Sequence, residues 1–245
     1  MLPLRDQLPT RTVPFVNYLL IAGNIAAYLW ERSVIAQGVR PQRLLEVYGL
    51  VPRHLFIDPA GTLVTVFTSM FMHDPSNLLH IGGNMLFLWI FGDNVEDVMG
   101  HFRYLVFYLV GGMCAAATQT FADPTSVLPM VGASGAISAV LAAYCFLYPR
   151  SPITVLNPIP ILWIFFGLFL HFPAWLVIAE FFLVNLWSAF TNTAQGGVAF
   201  LAHVGGFVGG ALLLRPFMAG RVRLDEYSRW QQWAQRRPPR ARDTW

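Results

Sequence analysis

The sequence predicts an all-α polytopic membrane protein, on three observations. Of 245 residues, 56% are hydrophobic and only 12% are charged, where an ordinary soluble domain carries ~25% charged residues. The apolar residues gather in runs close to the ~20 residues a helix needs to cross a bilayer. The cations are arginines only, and many of them lie in the tail from Arg221 to Arg242, directly after an apolar run. Such a tail reads as a juxtamembrane basic segment. A nucleic-acid partner is a poor use of that charge.

Residues 1–12 are polar and read as a cytoplasmic N-terminal segment. The membrane domain is expected over 13–217, and 218–245 is a basic cytoplasmic tail. The expected spans are about 13–30, 77–91, 104–121, 134–148, 174–190 and 200–217. Between the first two lies a mixed stretch, too polar to span and too apolar for a free linker. It is expected to fold on or in the membrane interface. An acid-rich turn, Gly92-Asp93-Asn94-Val95-Glu96-Asp97, follows the second span. The apolar stretch 153–172 is broken by Pro158 and Pro160, so it is expected to be interfacial or re-entrant. Counting it as a span would give an odd number. Arg5, Arg11 and the tail all favour the cytoplasm, and two ends on one side need an even count.

An even count has a chemical consequence. The second, fourth and sixth spans then all start at the outer face. His80 and Asn84 lie in the first turns of the second, Ser134 starts the fourth, and His203 lies about one turn into the sixth. At ~1.5 Å per residue the four share a shallow depth. Gly206 and Gly210, at i+3 and i+7 from His203, lie on its face. Ser138 and Ala142 lie on the face of Ser134. Small residues on facing helices permit close approach in lipid, which can bring imidazole to hydroxyl as a general base requires. His80 and Asn84, at i and i+4, can donate to a developing oxyanion. Gly132 leaves room beside the nucleophile.

Each residue has a plainer reading. A serine in a membrane helix usually bonds a preceding carbonyl, and glycines often mark only an interface. The combination of Gly-x-Ser-Gly at one helix start and a histidine with glycines on its face is much rarer. Glu96 and Asp97 fall at the opposite face, so a Ser–His dyad is expected without a third carboxylate. Glu180, in the fifth span, is either a protonated structural group or part of a gate. His54, His73, His101 and His171 are expected at surface or interfacial positions. Cys114 and Cys145 read as small buried hydrophobes. Neither a metal nor a cofactor is expected, since no H-E-x-x-H or cysteine cluster occurs.

Gly132-Ala133-Ser134-Gly135, His80-Ile81-Gly82-Gly83-Asn84 and Ala202-His203-Val204-Gly205-Gly206 resemble the three signatures of the rhomboid intramembrane serine proteases. The resemblance covers nearly the whole chain. It implies a six-transmembrane-helix rhomboid fold with a membrane-embedded first loop. It implies Ser134 as nucleophile and His203 as base, with His80, Asn84 and the Ser134 N–H as the oxyanion hole. Glu96 would hold a structural place. Val64-Thr65 stands where many members carry Trp-Arg. Ser138 stands where some carry a tyrosine beneath the histidine, so His203 must be oriented from elsewhere. The implied function is an endopeptidase acting on transmembrane protein substrates in the lipid bilayer. The loop 191–197, with Gly196 and Gly197 as hinge, is read from its residues as a lid. Bacterial origin, and hence the bacterial cytoplasmic membrane with the site near its outer face, is the expected location. The alternatives are a non-catalytic relative that binds or escorts membrane proteins, and a small transporter.

Overall fold

The computed structural model describes residues 2–157, 159, 163, 167–191 and 200–220, without the side chains of 185–191. Six long helices carry the architecture. They are α1 (Phe15–Ala36), α6 (Leu78–Met99), α7 (His101–Ala122), α8 (Ser134–Leu147), α9 (Ala174–Thr191) and α10 (Phe200–Met218). Four short helices fold the stretch between α1 and α6: α2 (Pro41–Tyr48), α3 (Pro52–Ile57), α4 (Pro59–Thr62) and α5 (Thr65–Thr68). By length and hydropathy two described helices, α7 and α10, are long and apolar enough to cross a membrane. The tail from 221 and the 192–197 part of the expected lid lie outside the described residues.

The all-α expectation is corrected by a three-stranded antiparallel sheet. β1 (Leu2–Asp6), β2 (Pro152–Leu156) and β3 (Phe169–Pro173) lie in that order. Thus 2–6 is no separate terminal segment, and the ends of 153–172 are strands. Pro149, Pro152 and Pro173 stop helix here, and the β-branched Ile153-Thr154-Val155 favours strand. Ile153 and Val155 are buried in the core.

The acid-rich turn is also corrected, because α6 continues through it to Met99. Its acids are held by neighbouring chain. Glu96 is fully buried and accepts the N–H groups of Val16 (3.0 Å) and Asn17 (2.7 Å). Those are orphan donors in the first turn of α1. His101 Nδ1 meets the same carboxylate. Asp97 accepts from the Arg11 and Thr12 N–H groups. Asp6 takes bonds from Asn94 Nδ2 and Tyr144 Oη, both at 2.7 Å. Burial pushes its carboxyl up to about 8, with the Asp93 charge adding to the effect.

α1 shows how the bundle is solvated. Asn17, Asn24 and Glu31 recur every seven residues and are wholly buried, whereas Phe15, Leu19, Leu29 and Trp30 are exposed. Polar groups face inward and large apolar ones outward, the arrangement a lipid environment imposes. α8 is the central helix, buried at every residue from Ala136 to Tyr144.

α10 packs between α7 and α8 on two glycine faces. A Cβ at Gly209 would lie 2.6 Å from Cys114 Cβ, and one at Gly205 would overlap Thr118, both on α7. A Cβ at Gly210 would lie 2.5 Å from Ala139 Cα, and one at Gly206 would overlap the Gly135 carbonyl oxygen, both on α8. Gly135 itself faces Ala115 of α7, where a Cβ would stand 2.6 Å from the alanine Cβ.

Candidate active site

Three helix starts converge at the end of the bundle away from Glu96. Ser134 is the first residue of α8. The chain reaches it through Leu50 paired with Met130, and through the Gly132 N–H bonded to Ser69 O at 2.9 Å. Gly132 has φ +120°, a conformation that favours glycine. Its missing side chain matters as well. A Cβ there would lie 2.9 Å from His80 Nε2 and 3.6 Å from Ser134 Oγ. The expected room at Gly132 is thus a space shared by those two groups.

His203 Nε2 lies 2.8 Å from Ser134 Oγ. The glycine faces of α10 permit this approach, since Gly206 lies one turn further along the face of His203 and touches α8. His203 is 5% exposed. Its Nδ1 has no hydrogen-bond partner among the described residues. The Phe181 ring of α9 stands 6.1 Å away, centroid to centroid, at 48°. The Ser138 hydroxyl donates to Ser134 O at 2.8 Å and so fastens the first turn of α8. A serine hydroxyl within hydrogen-bond reach of an imidazole has the geometry of an activated nucleophile.

His80 and Asn84 flank the same end on α6. Asn77 caps that helix, its side chain accepting from Leu79 N and His80 N. Asn84 is bonded to neither Ser134 nor His203. Its Nδ2 is 3.2 Å from His73 Nε2. The surface position expected for His73 is therefore corrected: the residue is fully buried. Burial pushes its imidazole down to about 4, helped by His80, so it is neutral. The signal available in the sequence was local. His73 follows Met70-Phe71-Met72, whose apolar side chains carry the chain inward. His54 and His171 are exposed as expected, and Glu180 sits half-buried on α9.

A family model described as Rhomboid domain matches residues 60–219. Rhomboid protein 1, mitochondrial, of Saccharomyces cerevisiae (strain ATCC 204508 / S288c) is 27% identical over 203 residues, covering 80% of this chain and 51% of the relative. RHOMBOID-like protein 12, mitochondrial, of Arabidopsis thaliana is 29% identical over 180 residues, 67% of this chain and 49% of the relative. Presenilin-associated rhomboid-like protein, mitochondrial, of Bos taurus is 29% identical over 114 residues, 42% and 28% respectively. The chain spans about half the length, or less, of these relatives. The bacterial expectation is overturned here, because all three relatives are named as mitochondrial proteins; nothing in composition or spacing had carried it. The match of the family model over most of the chain shows that it belongs to the rhomboid family.

Proposed function

We propose that this chain is an intramembrane serine endopeptidase that cuts transmembrane protein substrates with a Ser134–His203 dyad. The single observation that carries the reading is the 2.8 Å separation of His203 Nε2 and Ser134 Oγ. In the proposed reaction Ser134 Oγ attacks the scissile carbonyl carbon while its proton passes to His203 Nε2. Charge gathers on the carbonyl oxygen, which lies toward His80, Asn84 and the Ser134 N–H. The imidazolium then protonates the leaving amine and the C–N bond breaks. Water, deprotonated by the same histidine, releases the acyl group and restores the serine.

Six spans, α1 and α6–α10, fit the reading. α8 is the short one, at 14 residues or ~21 Å against a ~30 Å hydrocarbon core. Its start therefore lies sunk beneath one membrane surface, where water must reach Ser134 from that side. The three relatives are named as mitochondrial proteins, which supports a mitochondrial location for this chemistry.

The test compares purified wild-type protein with Ser134→Ala and His203→Ala on a transmembrane substrate and a fluorophosphonate. Cleavage and labelling of Ser134 are expected for wild type alone. Folded wild-type protein that neither cleaves nor labels would refute the proposal.

A further inference from the structure

The turn His73-Asp74-Pro75 touches both candidate oxyanion donors, and α1 holds that turn. Glu31 is fully buried, and its Oε1 accepts the His73 N–H at 3.0 Å. Arg32 Nη1 donates to Pro75 O at 3.0 Å, and Tyr28 Oη reaches the same carbonyl at 3.4 Å. Together the three side chains take up two backbone groups, the His73 N–H and the Pro75 carbonyl.

The turn then fixes protons. His73 Nδ1 lies 3.2 Å from Phe71 O. A carbonyl only accepts, so Nδ1 carries the hydrogen and Nε2 is bare. The bare Nε2 accepts from Asn84 Nδ2. That sets the amide the right way round, with NH2 toward His73 and its second N–H left over. The neighbouring residue treats His80 in the complementary way. Asp74 N–H points at His80 Nδ1, a long contact of 3.5 Å. A backbone N–H only donates, so Nδ1 is bare and the hydrogen sits on Nε2. That nitrogen faces the space beside Gly132 and Ser134.

We propose that His73 and Asp74 are positioning residues, clamped by Glu31 of α1, that set the Asn84 amide and the His80 Nε2–H tautomer as oxyanion donors. The inference rests on the protease reading for its purpose. Its geometry can fail separately.

The kinetic arm uses full-length protein and a transmembrane substrate. His73→Leu keeps bulk and loses the acceptor. Its kcat is expected to fall about 10- to 100-fold at unchanged KM, approaching the ~10²-fold or more that loss of one donor costs. His73→Gln retains an acceptor oxygen and recovers most of that loss. In an Asn84→Ala background His73→Leu costs less than about twofold, because residues acting as one unit are non-additive. A fully additive loss, or a folded His73→Leu with wild-type kcat, overturns the proposal. Where His73→Leu does not fold, Glu31→Ala against Glu31→Gln carries the same test. Glutamine still accepts the His73 N–H and keeps kcat, and alanine lowers it.

The second arm is independent of cleavage. ¹⁵N-histidine spectra of wild type should show His73 as Nδ1–H and His80 as Nε2–H, with His80 becoming a tautomer mixture in Glu31→Ala. Reversed tautomers overturn the clamp even in an active enzyme. Correct tautomers in a protein that cleaves nothing overturn the protease reading instead.

Discussion

Adding one methyl group at Gly206 should separate the proposed base from its serine. A Cβ there would overlap the Gly135 carbonyl oxygen and stand 3.1 Å from the Gly135 carbonyl carbon and 3.2 Å from Ser138 Cβ. All of these belong to the first turns of α8, which is buried at every residue from Ala136 to Tyr144 and cannot withdraw. α10 must retreat by about 1.4 Å to restore ordinary ~3.5 Å contact with that oxygen. His203 sits one turn away on the same face, so its Nε2 moves with the helix. The 2.8 Å separation from Ser134 Oγ becomes about 4.2 Å, outside hydrogen-bond range. A misplacement of that size costs about 10²-fold in rate, and the overpacking costs about 1–3 kcal/mol in stability. The assay is kcat/KM of Gly206→Ala on a transmembrane substrate, with a thermal melt in the same detergent. Gly83→Ala is the control, because a Cβ at that position meets nothing within 4 Å; its melt should match wild type. Wild-type kcat/KM in a folded Gly206→Ala protein would sink the reasoning, since α10 would then be free to shift without effect on the dyad.

Gly132→Ala should lose at least tenfold in kcat and melt lower. The φ of +120° strains an L-residue by about 1–3 kcal/mol, and the new Cβ stands 2.9 Å from His80 Nε2; unaltered kcat would show that His80 does not need this place. The Asp6 carboxyl, raised by burial from 3.8 to about 8, holds a proton in the folded chain that the unfolded chain releases. Its stabilisation is complete below about pH 4 and is lost as pH rises toward 8. The melting temperature should therefore fall across that window in wild type and much less in Asp6→Asn. Equal slopes in the two proteins would assign the pH dependence to other groups.

What was legible in the sequence follows the range of the forces involved. The six apolar runs mark the long helices, because lipid-facing and buried residues are both apolar and the run is contiguous. The helix ends were misjudged where polar residues continue the helix. Asp93 to Asp97 reads as a turn until Arg11, Thr12 and the start of α1 are there to receive its acids. The sheet joins Leu2 to Leu156 and Pro3 to Val155, and a five-residue strand carries no mark of so distant a partner. In the candidate site the closeness of Ser134 and His203 was legible because each sits near a helix start, where depth can be counted residue by residue. The burial of His73 had a local mark in Met70-Phe71-Met72, but its place beside Asn84 had none, because the turn is held by Glu31, Arg32 and Tyr28, some forty residues earlier.

The Nδ1 of His203, which meets no partner among the described residues, bears on the proposed reaction. When the imidazole takes the serine proton, it becomes a cation with two N–H groups inside the bundle. One remains with Ser134, and among the described residues no acceptor meets the other. In the proposed reaction that second N–H calls for an acceptor from water or from the substrate itself. How a substrate helix seats beside the dyad would then bear on which proteins are cut.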